Sequence, residues 1–131
     1  WVTYTAPELA QVGLTEDEAR KKQNDIKVLT WPFAENDRAQ AERLTDGLIK
    51  VVTNRKGHIL GVGIAGAHAG ELIQMWVLAM SRKLKIGDVA SMIAPYPTLG
   101  EVSKRAAGSF YTEALFGPRT KKLIRFLRLF G

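Results

Sequence analysis

A chain of 131 residues with 46% hydrophobic and 24% charged content suits one domain around one core and excludes a disordered polymer. It has no cysteine, which excludes a disulfide framework, a thiolate metal centre and any thiol redox chemistry of its own. The formal net charge of +6 admits an anionic partner such as nucleic acid or a membrane surface, so where the cations sit matters more than their sum.

The chain opens on Trp1-Val2-Thr3-Tyr4, a strand-like run with no basic segment leading into an apolar one. No secretory leader is therefore expected, and a start inside a strand points to residues missing upstream. Residues 2–12 read as extended, with Pro7 confining them to an edge or a bend. Thr15-Glu16-Asp17-Glu18 has the form of a capping box and predicts a helix over 16–23, whose last turn carries Arg20, Lys21 and Lys22. Residues 26–33 are rich in β-formers and predict a strand; 36–45 read as polar and irregular. Residues 48–53 and 59–66 predict two more strands, joined by a turn at Asn54-Arg55-Lys56-Gly57 in which Gly57 supplies positive φ. Gly61, Gly63 and Gly66 strip the last strand of side chains, so something should pack closely on its backbone.

From Ala69 the apolar period becomes helical. Leu72, Ile73, Met75, Trp76, Val77, Leu78, Ala79 and Met80 surround nearly the whole helix, predicting burial in a core or against a partner. The most apolar window, 59–80, contains His68, Glu71, Gln74 and several glycines and makes a poor membrane span. Residues 86–93 predict a short helix capped near Gly87-Asp88, and Pro95-Tyr96-Pro97 a stiff extended elbow. Thr98-Leu99-Gly100-Glu101 is a second capping box, opening a helix expected to reach Leu115 before Gly117-Pro118 stops it. Strands followed by helices predict an α+β fold with an antiparallel sheet of about four to five strands. The division expected is a domain over 1–117 and a basic amphipathic tail over 118–131.

Several of these stretches also carry a family signature. Thr5-Ala6-Pro7-Glu8-Leu9-Ala10-Gln11-Val12-Gly13-Leu14-Thr15-Glu16, Asn36-Asp37-Arg38-Ala39, Gly66-Ala67-His68-Ala69-Gly70-Glu71-Leu72-Ile73 and Pro97-Thr98-Leu99-Gly100-Glu101 fall in an order that resembles the dimerisation domain of the pyridine nucleotide-disulfide oxidoreductases. That family includes dihydrolipoamide dehydrogenase, glutathione reductase and mercuric reductase. The resemblance covers 2 to about 116. It implies a two-fold homodimer that completes the partner subunit's flavin and thiol site. It also implies that FAD and NAD(P) are held by upstream domains of a longer parent, with none bound by this chain alone. Gly61-Val62-Gly63-Ile64-Ala65-Gly66 fits the bare letters of a dinucleotide motif, but lacks the strand, helix and later acidic residue that the motif needs. The fragment is expected to be inactive in isolation.

Many family members place a histidine where Tyr96 stands, and the resemblance implies that it exchanges protons with the partner's thiol pair while a glutamate matching Glu101 orients it. A phenol titrates near 10 against about 6.5 for imidazole, so Tyr96 is a poor proton shuttle near neutral pH, though it is able to donate a hydrogen bond to a thiolate. Mercuric reductases are similar in having tyrosine there, and add a cysteine pair that this chain lacks. Tyr96 and Glu101 are thus the candidate catalytic residues. Pro97 is the candidate cofactor contact, and the resemblance implies that a cis bond precedes it. The plainer reading makes Tyr96 an amphipathic interface residue and Glu101 the closing member of a capping box. His58 in a turn and His68 near a helix start are too far apart for a metal motif, and Ser103 and Ser109 lack a hydrolase setting.

In the tail, Lys122, Arg125 and Arg128 recur every third residue among Leu123, Ile124, Phe126, Leu127 and Phe130. Such a helix suits an anionic membrane, contacted through Lys121, Lys122, Arg125 and Arg128, and equally suits a hydrophobic groove on its own domain or dimer mate. The shortness of the tail favours the groove. A membrane or nucleic-acid binder is the competing function. The scattered cations elsewhere and the absence of a binding motif speak against nucleic acid. The expected location is cytoplasmic, with membrane association as its variant.

Overall fold

The computed structural model describes residues 1–112 and 118–129. Five strands form one antiparallel sheet: β1 (Val2–Thr3), β2 (Glu8–Gly13), β3 (Ile26–Pro32), β4 (Gly47–Asn54) and β5 (Ile59–Gly66), in the spatial order β1-β2-β5-β4-β3. The expected α+β class and strand number hold. The first extended segment divides into two strands around the cis Ala6–Pro7 bond, so Pro7 occupies the bend and β1 the rim.

Residues facing one side of the sheet alternate with those facing the other. Ala10 of β2, Val62 and Ile64 of β5, Ile49 and Val51 of β4, and Leu29 of β3 stand opposite one another across the ladder and are buried. Two helices cover this face, α3 (Ala69–Ser81) over β2 and β5 and α5 (Glu101–Ser109) over β3 and β4, with α4 (Ile86–Ser91) against α5. Their contribution to the core is Ile73, Trp76 and Ala79 from α3, Ile86 and Val89 from α4, and Val102, Ala106 and Ala107 from α5. On the opposite face α1 (Glu16–Lys22) lays the buried Ala19, and Glu16 Oε2 accepts a hydrogen bond from Lys50 Nζ at 3.0 Å.

The capping box predicted for α1 is present in both halves. Glu18 N–H donates to Thr15 Oγ1 at 3.3 Å and Thr15 N–H to Glu18 Oε2 at 2.8 Å, and the bond from Thr15 holds the Glu18 carboxyl below its usual pKa. Gly57 closes the β4–β5 turn at φ +85°, as expected. The close neighbour expected on β5 is the chain's own backbone: a Cβ on Gly61 would lie 1.8 Å from the Leu14 carbonyl oxygen.

Three expectations need correction. Residues 36–45 are not irregular, because a 3₁₀ turn (Phe33–Glu35) leads into α2 (Asp37–Glu42). Asn36 is its cap, with Oδ1 accepting from Ala39 N–H at 2.9 Å, a local bond that the polar composition disguised. Within the single chain the helix from Ala69 turns Trp76 into the core and leaves Val77 and Leu78 47% and 62% exposed, a flank open to a partner. The box at Thr98 is half made: Glu101 Oε2 accepts from Thr98 N–H at 3.2 Å, while the Thr98 hydroxyl turns to the Pro95 carbonyl at 2.7 Å. The helix opening there ends at Ser109, with a turn at Phe110 and Tyr111, and so stops short of the expected Leu115; the stop expected at Gly117 falls outside the described residues. Beyond it α6 (Pro118–Arg128) is helical, as the tail's period required.

Candidate functional site

The proline elbow between α4 and α5 is held from beneath by a single buried side chain. Asn36, 4% exposed, caps α2 through its oxygen and donates from Nδ2 to the Thr98 carbonyl at 3.0 Å. Both ends of the amide are thereby satisfied, as a buried polar group requires. The next residue, Asp37, opens α2 and accepts a hydrogen bond from the Tyr96 hydroxyl at 2.7 Å. The Tyr96–Pro97 peptide is cis. Glu35, Asn36, Asp37, Tyr96, Glu101 and Arg105 line a crevice of ≈ 50 Å³, enough for a water or two and no substrate.

The structure therefore brings Tyr96, Pro97 and Glu101 together on one elbow and adds Asp37, which sequence reasoning did not single out. The signal was present, since an Asn before Asp-x-Ala is an ordinary helix start. Tyr96 is exposed, yet its hydroxyl has a fixed partner, and its pKa is raised by the hydrogen bond to Asp37 and by that carboxylate's charge. Losing the proton would set two anions side by side, so near neutral pH the group is a donor and not a base. The stabilisation that goes with the raised value is complete below about pH 10 and is lost as pH climbs through the folded-state pKa. In Asp37→Asn the phenol is expected to titrate at lower pH, readable from the Cζ chemical shift of labelled tyrosine. An unmoved midpoint would mean that the bond is not populated in solution.

Beside the elbow runs an apolar groove of ≈ 280 Å³, floored by Leu72 and Met75 of α3 and rimmed by Met92, Ile93, Ala94 and Pro95. Ile93 is 96% exposed, the extreme among the chain's large apolar residues that are described. Trp76 takes no part in this surface. It is wholly buried, with Nε1 donating to Ser103 Oγ at 3.0 Å, so its place is the core and not the outer face.

His68 stands at the start of α3 with φ 59°, and it is Glu8 Oε2 that accepts the Gly70 N–H there, at 2.9 Å. His58 is exposed and shares a hydrogen bond with the Asn54 side chain at 3.0 Å. Among the described residues no three potential metal ligands gather. The glycine-rich letters at 61–66 lie in β5 between β2 and β4, so their backbone groups serve the ladder and cannot cradle a phosphate.

These features define an interface domain, with an exposed apolar flank and a firmly held elbow. The chain belongs to the pyridine nucleotide-disulphide oxidoreductase dimerisation domain family, whose pattern matches residues 1–107. It is 42% identical over 115 residues to the dihydrolipoyl dehydrogenase of Thermus scotoductus, spanning 87% of this chain and 25% of that protein. It is 40% identical over 107 residues to that of Bacillus subtilis, spanning 81% and 23%. Among solved structures, the Cu(II) complex of the HOCl-induced flavoprotein disulfide reductase RclA from Escherichia coli superimposes with a TM-score of 0.80 at 26% identity, over 83% of this chain and 25% of that one. The chain thus spans about a quarter of the length of the relatives it matches.

Proposed function

We propose that this domain joins two copies of a flavin-dependent parent across a two-fold axis, and that the elbow of each copy faces the flavin-side thiol pair of the other. The observation that carries the reading is the nearly bare Ile93 beside Pro95, Met92 and the outer edge of α3. An apolar centre of this kind is costly in water and is what a protein interface covers. FAD and NAD(P) belong, on this reading, to parts of the parent outside this chain. The residues here do not fit a dinucleotide site, because the glycine-rich run is locked into the sheet.

Within that arrangement the three elbow residues have different parts. Tyr96 keeps its proton near neutral pH and donates a hydrogen bond, passing from Asp37 to a thiolate when one approaches. Glu101 is a positioning residue whose Oε2 holds the Thr98 N–H and so fixes the turn. Pro97 sets the outward face of the elbow against the cofactor side of the partner.

The pairing is tested by sedimentation of this chain. The wild type is expected to dimerise and Ile93→Glu to shift towards monomer by tenfold or more in dissociation constant, with its melting temperature as a monomer unchanged because Ile93 buries almost nothing. A wild type that stays monomeric at high concentration, or an Ile93→Glu dimer as tight as the wild type, would sink the reading. The role of Tyr96 is tested in the full-length dimer. Tyr96→Phe is expected to alter the thiol-to-flavin charge-transfer absorbance or turnover, and unchanged spectra and kinetics would remove it from the site.

A further inference from the structure

We propose that α6 docks flat on an anionic phospholipid surface, with its cationic side on the headgroups and its apolar side dipped among them. The helix runs from Pro118 to Arg128, and no acidic residue occurs anywhere in 114–131. At 3.6 residues per turn, Lys121, Lys122, Arg125 and Arg128 share about a third of its circumference, and Leu123, Ile124, Phe126 and Leu127 lie on the opposite side. Every side chain from Lys121 to Leu129 is exposed, with Leu123 at 56%, Ile124 at 47% and Leu127 at 58%.

Two chemical demands select the occupant. The four clustered cations call for an anionic surface, and the apolar side calls for removal from water at the same time. A nucleic acid answers the first demand alone, leaving Leu123 and Leu127 in solvent. A bilayer rich in acidic lipid answers both, because cations settle at the headgroup level while the apolar stripe enters the acyl boundary. Eleven helical residues span about 16 Å, roughly half a hydrocarbon core, and no described helix is long and apolar enough to cross a membrane. The contact is thus parallel to the surface. It uses residues outside the elbow and the Ile93 flank, so it stands or falls separately from the pairing.

The test is flotation of the whole chain with phosphatidylcholine vesicles, with and without about 30% phosphatidylserine. The chain is expected to float with the anionic vesicles only, and to bind about fivefold more weakly for each cation neutralised among Lys121, Lys122, Arg125 and Arg128. The double variant Leu123→Ser/Leu127→Ser, which keeps every charge, is expected to lose vesicle binding, with its core unfolding transition unaltered. The proposal is overturned if the chain stays below the gradient with anionic vesicles, or floats equally with neutral ones. Full binding by the double variant, the behaviour of a charge-only nucleic-acid binder, overturns it as well. So does a change of oligomeric state in that variant with no loss of flotation, which would place the stripe against a second copy.

Discussion

Trp76→Ala is expected to lower the unfolding free energy by about 3–5 kcal/mol, a large part of the roughly 5–15 kcal/mol that holds a domain of this size together. The ring is wholly buried between the sheet and α5, where its neighbours include Ile73 and Ala79 on its own helix. Removing it opens a cavity, and also leaves the Ser103 hydroxyl, itself 1% exposed, without the indole N–H at 3.0 Å. Trp76→Phe separates the two effects: it keeps most of the apolar volume and loses the hydrogen bond, for about 1–3 kcal/mol. Val77→Ala, one position along and half exposed, should cost little by comparison. Urea unfolding of the three variants gives the ranking, and a loss below about 1 kcal/mol for Trp76→Ala would show that the helix is not seated as described.

Gly61→Ala should be the more damaging of the small substitutions. The added methyl would lie 1.8 Å from the Leu14 carbonyl oxygen and 2.6 Å from its nitrogen, and both are backbone atoms that cannot swing aside. Leu14 is itself fixed by donating to the Leu60 carbonyl at 2.9 Å, immediately before the cap of α1. Strand β5 has neighbours on both sides, so it has no free edge towards which to move. The cost is placed at or above about 3 kcal/mol, the upper end of what overpacking produces, with soluble yield falling accordingly. Gly108→Ala makes the contrast. Its Cβ meets nothing within 4 Å in α5, and the gain in helix propensity should make it neutral or stabilising by up to about 1 kcal/mol. Equal stability of Gly61→Ala and Gly108→Ala would refute the close approach.

Much of the fold was legible because local chemistry and global packing agree. Thr15 and Glu18 announced a helix that the structure caps in both directions, and the strands predicted over 48–53 and 59–66 are present. Where the reading went astray, side-chain hydrogen bonds had overridden what composition and spacing suggested. The Thr98 hydroxyl had a better acceptor in Pro95 than the helix start offered, and the Asn36 amide joined α2 to an elbow 62 residues away. A separation of that size leaves no mark on periodicity. For the same reason Asp37 went unnoticed as the anchor of Tyr96, though Asp37 lay inside a stretch whose family likeness was visible and Tyr96 stood directly before another. The apolar run from Leu72 to Met80 promised burial and could not say which faces the chain would cover for itself: Trp76 went inward and Leu78 stayed out.

The β1 rim of the sheet is only two residues long, which limits how much main chain lies open on that side. A long bare margin would invite one molecule after another to add by main-chain bonding, without limit. Two residues make too brief a template for such growth on that side, and the opposite edge, β3, ends in Pro32, which has no N–H to offer. In the proposed pairing cohesion falls to the helical flank, where a symmetric contact uses itself up once two molecules have met.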